Sequence, residues 1–160
     1  MSRAVLSIGS NLGDRLAHLR SAVDGLRGQL VVASPVYETP AWGPVEQDDY
    51  LNAVLVVSGA FEPRGWLERA WALEQAAGRE RAVRWGPRTL DVDVIVVDAR
   101  TSDDPELTLP HPRAHERAFV LVPWADVEPE ALLPGHGVVG ELAAPLRTTV
   151  KRRDDLVLLP

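Results

Sequence analysis

A chain of 160 residues with 46% hydrophobic and 25% charged positions has the size and composition of one globular domain spanning 1–160, and no two-domain division is needed. Zero cysteines exclude disulfides, thiolate zinc sites and cysteine nucleophiles, which leaves carboxylate, imidazole, carbonyl and water as metal donors and favours hard cations such as magnesium. The net charge of −6 argues against broad nucleic-acid binding. With no run of about 18 apolar residues and no export leader at the start, the chain reads as soluble, unexported and cytoplasmic, with no membrane partner.

In chain order, residues 3–9 ("RAVLSIG") read as a strand ended by Gly9, and "SNLGDR" as a turn. A helix follows with Leu16, Leu19, Val23 and Leu26 on one face. "LVVASPVYET" reads as one second strand with a bulge or edge at Pro35, residues 39–49 as a proline-marked loop, and "YLNAVLVVSG" as a third strand. Pro63 suits a helix start; Trp66, Leu67, Ala70, Trp71, Leu73 and Glu74 continue at helical spacing, and Gly78 supplies the stop. Residues 79–88 form an arginine-rich loop before the fourth strand, "TLDVDVIVVD". The following segment is mostly irregular apart from an extended piece at Leu107–Leu109. "AFVLVPWADV" then reads as a helix as far as Pro123, with a strand as the alternative because of its β-branched residues. The order β-α-β-β-α-β over residues 3–97 predicts an α+β fold of ferredoxin-like βαββαβ type, with a mainly antiparallel sheet carrying packed helices.

The basic residues are unevenly chosen and placed. Lys151 is the single lysine among 17 basic residues, which rules out a lysine-bearing phosphate loop and leaves arginine to hold anions. Arg79, Arg81, Arg84 and Arg88 all precede Asp91 and Asp93 closely. On a strand, residues i and i+2 share a face, so the two aspartates point one way and Val92, Val94 and Val96 the other. Two ionised carboxylates side by side repel unless a cation bridges them or one keeps its proton. Alone, the pair also fits a solvated face that holds nothing, and the arginines fit surface ion pairing. Together, a cation and arginines are what a polyphosphate needs.

Two further groups stand out. Tyr50 and Asn52, also i and i+2, put an aromatic ring and an amide on one face, where a flat heterocycle could stack and be read; packing under the long loop is the alternative. In "LPHPRAHERAF", His111, Arg117 and Phe119 lie where an irregular chain can converge side chains on a ligand, or simply expose them.

Taken in order, "GSNLGDR", "Y-x-T-P", "DYLNA", "GRERAVRWGPRTLDVDVI" and "LPHPRAHERAFVLVP" resemble the 6-hydroxymethyl-7,8-dihydropterin pyrophosphokinases of folate biosynthesis, from about residue 4 to residue 129. The resemblance implies transfer of pyrophosphate from ATP to the pterin hydroxymethyl oxygen with release of AMP by a monomer. Asp91 and Asp93 match the aspartates that hold two Mg2+ ions across the triphosphate, Asp91 also lying against the pterin. Tyr50 and Phe119 match the two rings that sandwich the pterin, Asn52 the amide that bonds it, and Thr39, Pro40 and Trp42 the loop beside it. Arg81, Arg84, Trp85 and Arg88 match a catalytic loop and its anchor, with Arg84 and Arg88 acting on the phosphates. Glu74, His111 and Arg117 match ATP-side contacts, and Leu107 and Thr108 lie near the adenine. Trp42, Trp71 and Pro112 depart from the family pattern, standing in place of a smaller aliphatic residue, a glutamine and an aromatic. The rival readings are a nucleotide-binding module without catalysis and a two-aspartate phosphodiesterase or nucleotidyltransferase.

Overall fold

The structure is a computed structural model that describes residues 1–41, 44, 46–78 and 89–159. Trp42 and the segment holding Arg79, Arg81, Arg84, Trp85 and Arg88 lie outside the described residues. The first half runs β1 (Ser2–Ser10), α1 (Arg15–Gly25), β2 (Leu30–Ala33), β3 (Tyr37–Thr39), β4 (Tyr50–Gly59), α2 (Pro63–Ala76) and β5 (Asp91–Val97). It continues with β6 (Ser102–Asp104), β7 (Leu107–Leu109), a 3₁₀ turn (Ala114–Glu116), α3 (Ala118–Val127), β8 (Leu132–Leu133), β9 (Gly137–Val138), α4 (Val139–Ala143) and β10 (Lys151–Arg152).

The main sheet has the order β10-β3-β4-β1-β5, with β2 also on β4, and each of its pairings is antiparallel. With β2 and β3 taken as one interrupted strand, this is the ferredoxin-like order expected from the βαββαβ succession. Period-two alternation gives the sheet two buried faces. Ala4, Leu6, Ile8, Leu51, Ala53, Leu55, Val57, Val92 and Val94 meet α1 and α2, while Val5, Val54, Val56 and Ile95 meet α3 and α4. The expected alternation along β5 holds for Val92 and Val94 but is corrected for Val96: a register shift between Val5 and Leu6 against β5 puts Ile95 and Val96 both on the second face.

α1 buries Leu19 and Val23, with Leu26 just past its end, as the spacing predicts. Asp14 caps it by accepting the Ala17 N–H at 3.1 Å. α2 starts at Pro63, whose missing N–H costs nothing in a first turn, and Gly78 follows it with φ +74, a conformation that suits glycine. Its Trp66 is fully buried, worth about 1.5–3 kcal/mol, and its indole N–H donates to Ser2 Oγ at 2.8 Å.

Two further expectations are corrected. "LVVASPVYET" forms two strands, because Pro35 has no N–H to give the ladder. Ser34 bridges the break with its N–H on the Val54 carbonyl at 2.9 Å and its hydroxyl accepting the Val54 N–H at 2.8 Å. α3 does not stop at Pro123 but runs to Val127. An internal proline costs about 3 kcal/mol, which burial of Val120, Leu121, Val122, Trp124 and Ala125 outweighs. The segment before α3 is more ordered than its composition suggests, since β6 and β7 pair as a hairpin. The tail adds β10 to the sheet edge and sends Leu158 into the core.

Candidate active site

One row of paired residues crosses the sheet on the face toward α3. Asp91 pairs with Gly9, Gly9 with Asn52, and Asn52 with Tyr37. In the next row Asp93 pairs with Ser7 and Ser7 with Val54. Gly9 therefore leaves a position without a side chain between a carboxylate and an amide. A β-carbon there would lie 2.8 Å from Asn52 Oδ1 and 3.4 Å from Tyr50 Cδ1, so the hollow exists because the residue is glycine. The sequence marks Gly9 only as the end of the strand, because its role depends on neighbours from two other strands; the strand itself runs on to Ser10.

The amide beside the hollow is fixed. Asn52 is buried, and its Nδ2 donates to Thr39 Oγ1 at 2.8 Å. Thr39, also buried, pairs in register with Tyr50, so Tyr50, Asn52 and Thr39 form one group. Pro40 is exposed just beyond it. Residues 46–49 are tied down from "GSNLGDR", another role missed in the sequence. Asn11, almost fully buried, donates through Nδ2 to Gln47 Oε1 at 2.7 Å and to the Asp48 carbonyl at 3.0 Å. Arg15 donates to the Asp49 carbonyl at 2.9 Å.

Phe119 lies in the first turn of α3, half-buried, and the guanidinium of Arg117 lies over its ring at 5.3 Å. Arg117 also stands 3.9 Å from Asp93, which links this corner to the carboxylate pair. Burial lowers the Arg117 pKa, and Asp93 opposes that shift.

A second cleft, of about 330 Å³, runs along the outer edge of β5 between α2 and the β6–β7 hairpin. Glu74, Trp71, Val92, Leu107, Thr108 and His111 line it, together with Asp93. Asp93 is thus common to the sheet face and the cleft. The structure brings Glu74, Leu107, Thr108 and His111 together in this cleft, with Trp71 and Pro112 from the departing positions, while Arg117 is not among the residues that line it. Glu74 has a definite structural partner: its Oε2 accepts the Val92 N–H at 2.9 Å, satisfying a backbone donor on the outer side of an edge strand.

His111 is set as a neutral donor. Its Nδ1 accepts the Arg113 backbone N–H at 3.2 Å, which leaves the proton on Nε2. Burial pushes its pKa below 6.5, with Arg117 and Arg113 pushing the same way and Asp93 opposing. Between that lowered value and 6.5 the unfolded chain binds more protons than the folded one, so His111 makes folding weaken as pH falls through this window. Urea unfolding of the ligand-free protein from pH 7.5 to 5 is expected to show a shallower loss of stability in His111→Gln than in the parent chain. Equal slopes would remove His111 as the source.

Among the described residues, no group of three or more His, Asp or Glu side chains stands ready to enclose a metal. The donor set instead fits Mg2+, which takes one or two carboxylates and completes its shell with water and substrate phosphates. Asp91 and Asp93, adjacent on one face, supply that number.

A sequence profile of the 7,8-dihydro-6-hydroxymethylpterin-pyrophosphokinase (HPPK) family matches residues 5–129. The 2-amino-4-hydroxy-6-hydroxymethyldihydropteridine pyrophosphokinase of Mycobacterium tuberculosis strain H37Rv is 56% identical over 148 residues, covering 86% of this chain and 78% of that one. The protein of the same name from Methylorubrum extorquens is 42% identical over 147 residues, covering 89% and 93% respectively. Among solved structures, wild-type HPPK-DHPS of Plasmodium falciparum with pteroate superposes with a TM-score of 0.71 at 11% identity, over 92% of this chain and 44% of that one. The chain thus spans less than half the length of that structural neighbour, and at this identity the likeness concerns the fold. With the profile covering most of the chain and relatives this similar, the chain belongs to the 7,8-dihydro-6-hydroxymethylpterin-pyrophosphokinase family, the pyrophosphokinases of folate biosynthesis.

Proposed function

We propose that this chain, as a single-domain cytoplasmic monomer, transfers pyrophosphate from ATP to the hydroxymethyl oxygen of 6-hydroxymethyl-7,8-dihydropterin and releases AMP, with Mg2+ accompanying the nucleotide. The observation that carries the reading is the meeting of two differently built subsites at Asp93, one a flat hollow with a fixed amide and the other a cleft on the outer edge of β5.

The hollow suits the pterin. Asn52, oriented by Thr39, presents an amide to the hydrogen-bonding edge of a flat ring system, while Tyr50 and Phe119 offer aromatic faces. Gly9 leaves the room. Pro40 directly follows Thr39, and Trp42 is assigned to the pterin on the resemblance alone. The cleft suits ATP. Leu107 and Thr108 would flank the adenine, the Nε2–H of His111 would face the phosphates with Arg117 reaching them from beside Asp93, and Glu74 holds the cleft wall to β5.

Asp91 and Asp93 would hold two Mg2+ ions with the triphosphate. When bound, these ions supply neutralisation of phosphate charge and acidify the attacking alcohol. The chain itself provides positioning: it brings the hydroxymethyl oxygen in line with the β-phosphorus and shields it from water. On the resemblance, Arg84 and Arg88 are assigned to the phosphates and Arg81 and Trp85 to ATP binding in the same segment; with Lys151 the single lysine, arginine is the cation the sequence offers for that task. No side chain is assigned as a general base.

Incubation with ATP, Mg2+ and 6-hydroxymethyl-7,8-dihydropterin is expected to yield AMP, and only when the pterin is present. ADP as product, or AMP without pterin, would overturn the reading. ATP binding without any AMP would identify a non-catalytic nucleotide module.

A further inference from the structure

The family profile ends at residue 129, yet the tail beyond it reaches back to the strand that orients Asn52. β10 pairs with β3, Lys151 opposite Glu38 and Arg152 opposite Tyr37, and the Arg153 N–H donates to the Val36 carbonyl at 2.8 Å. Arg153 then makes a directed set of contacts. Asp155 takes its Nε at 2.9 Å and Nη2 at 2.8 Å, which fixes the plane of the guanidinium and leaves Nη1 to donate to Glu38 Oε1 at 3.0 Å. The other oxygen of Glu38 accepts Arg15 Nη1 at 2.9 Å, and the same Nη1 donates to the Asp49 carbonyl. The three side chains are well covered, with 23%, 19% and 28% of Arg153, Glu38 and Arg15 exposed. Arg15 first, then Arg153, holds the Glu38 carboxyl below its ordinary pKa against the effect of burial, so it stays charged at neutral pH.

The chain of contacts ends on both sides of Asn52's support. Glu38 immediately precedes Thr39, the acceptor of the Asn52 amide, and Asp49 immediately precedes Tyr50, the residue paired with Thr39. Glu38 stands between two arginines, one from the first turn of α1 and one from the tail. Losing the Arg153 side chain would leave the carboxylate held from one side only, and β3 would keep only its backbone pairing with the tail.

We propose that Arg153 is a positioning residue for pterin binding, acting through Glu38 and Arg15 to hold β3 and residues 49–52 in the register that orients the Asn52 amide. This rests on the pterin reading of the hollow. The contacts lie at the β10–β3 edge of the sheet, with β4 and β1 between them and the cleft along β5, so the effect falls on one substrate: pterin binding depends on Arg153 and ATP binding does not.

The test compares the parent chain with Arg153→Ala, Arg153→Lys and Glu38→Gln in steady-state AMP release, with thermal unfolding recorded in parallel. Arg153→Ala is expected to raise KM for the pterin about fivefold, with kcat and KM for ATP unchanged. Arg153→Lys, which keeps a charge for Glu38, is expected to restore most of the affinity, and Glu38→Gln to reproduce the loss. An unchanged pterin KM in folded Arg153→Ala overturns the proposal. So does an equal rise in both KM values, which marks general loosening. If Arg153→Ala does not fold, Glu38→Gln decides, and a normal pterin KM there overturns the proposal. Absence of AMP from the parent chain would instead strike the functional reading itself.

Discussion

Asp93→Ala is expected to lower the rate of AMP release by a factor on the order of 10³ at saturating substrates, with the fold intact. Asp93 is the residue common to the sheet face and the cleft, so its loss acts where the two substrates meet. Its side chain is 43% exposed, and the ion pair it forms with Arg117, at 3.9 Å, is too long for a strong hydrogen bond. Little stability rests on it, and removing one of two neighbouring carboxylates relieves repulsion in the ligand-free state. The unfolding temperature without ligand is therefore expected to be no lower than that of the parent chain. Asp93→Asn keeps the shape and removes the charge, and the same rate loss is expected there if charge is what matters. Turnover near that of the parent chain at saturating Mg2+ would end the assignment of Asp93 as a metal ligand.

The parts of this architecture with strict local periodicity could be read before the fold was known. Alternation along β5 placed Asp91 and Asp93 on one face, and the same rule put Tyr50 and Asn52 together on β4. The helical faces of α1 and α2 followed from spacing, except that Trp71 turns out to line the cleft with 39% of its surface exposed. Elements governed by distant contacts were illegible. Nothing local says that Ser34 will carry the ladder across Pro35, or that burial around Trp124 will carry a helix through Pro123. The two-residue strands of the tail have no period to detect, and the Glu38–Arg153 pair joins positions 115 residues apart. Within the site, alternation gave facing but not pairing. That Gly9 falls between Asp91 and Asn52 depends on register across three strands, which a single strand does not encode.

That register makes Gly9→Ala the second large effect expected. Gly9 lies in extended strand backbone, where alanine adopts the conformation without penalty, so any cost comes from what the new methyl group meets. It meets Asn52 Oδ1 at 2.8 Å, closer than side-chain carbons tolerate, and Tyr50 Cδ1 at 3.4 Å. Asn52 cannot yield freely, because it is buried and its Nδ2 is engaged with Thr39 at 2.8 Å. Either the methyl group occupies the hollow or the amide swings away and loses Thr39, and in both cases the pterin loses its reader. A misplaced buried hydrogen-bonding group costs about 1–3 kcal/mol, which corresponds to a pterin Kd weaker by about 5- to 150-fold. ATP affinity is expected to stay at the parent value, since Gly9 lies on the sheet face and not in the cleft beyond β5. Calorimetric titration with each ligand separately checks both halves. A parent-like pterin Kd would show that the hollow over Gly9 is not where the pterin sits, whereas equal loss of ATP affinity would show that the two subsites are not independent.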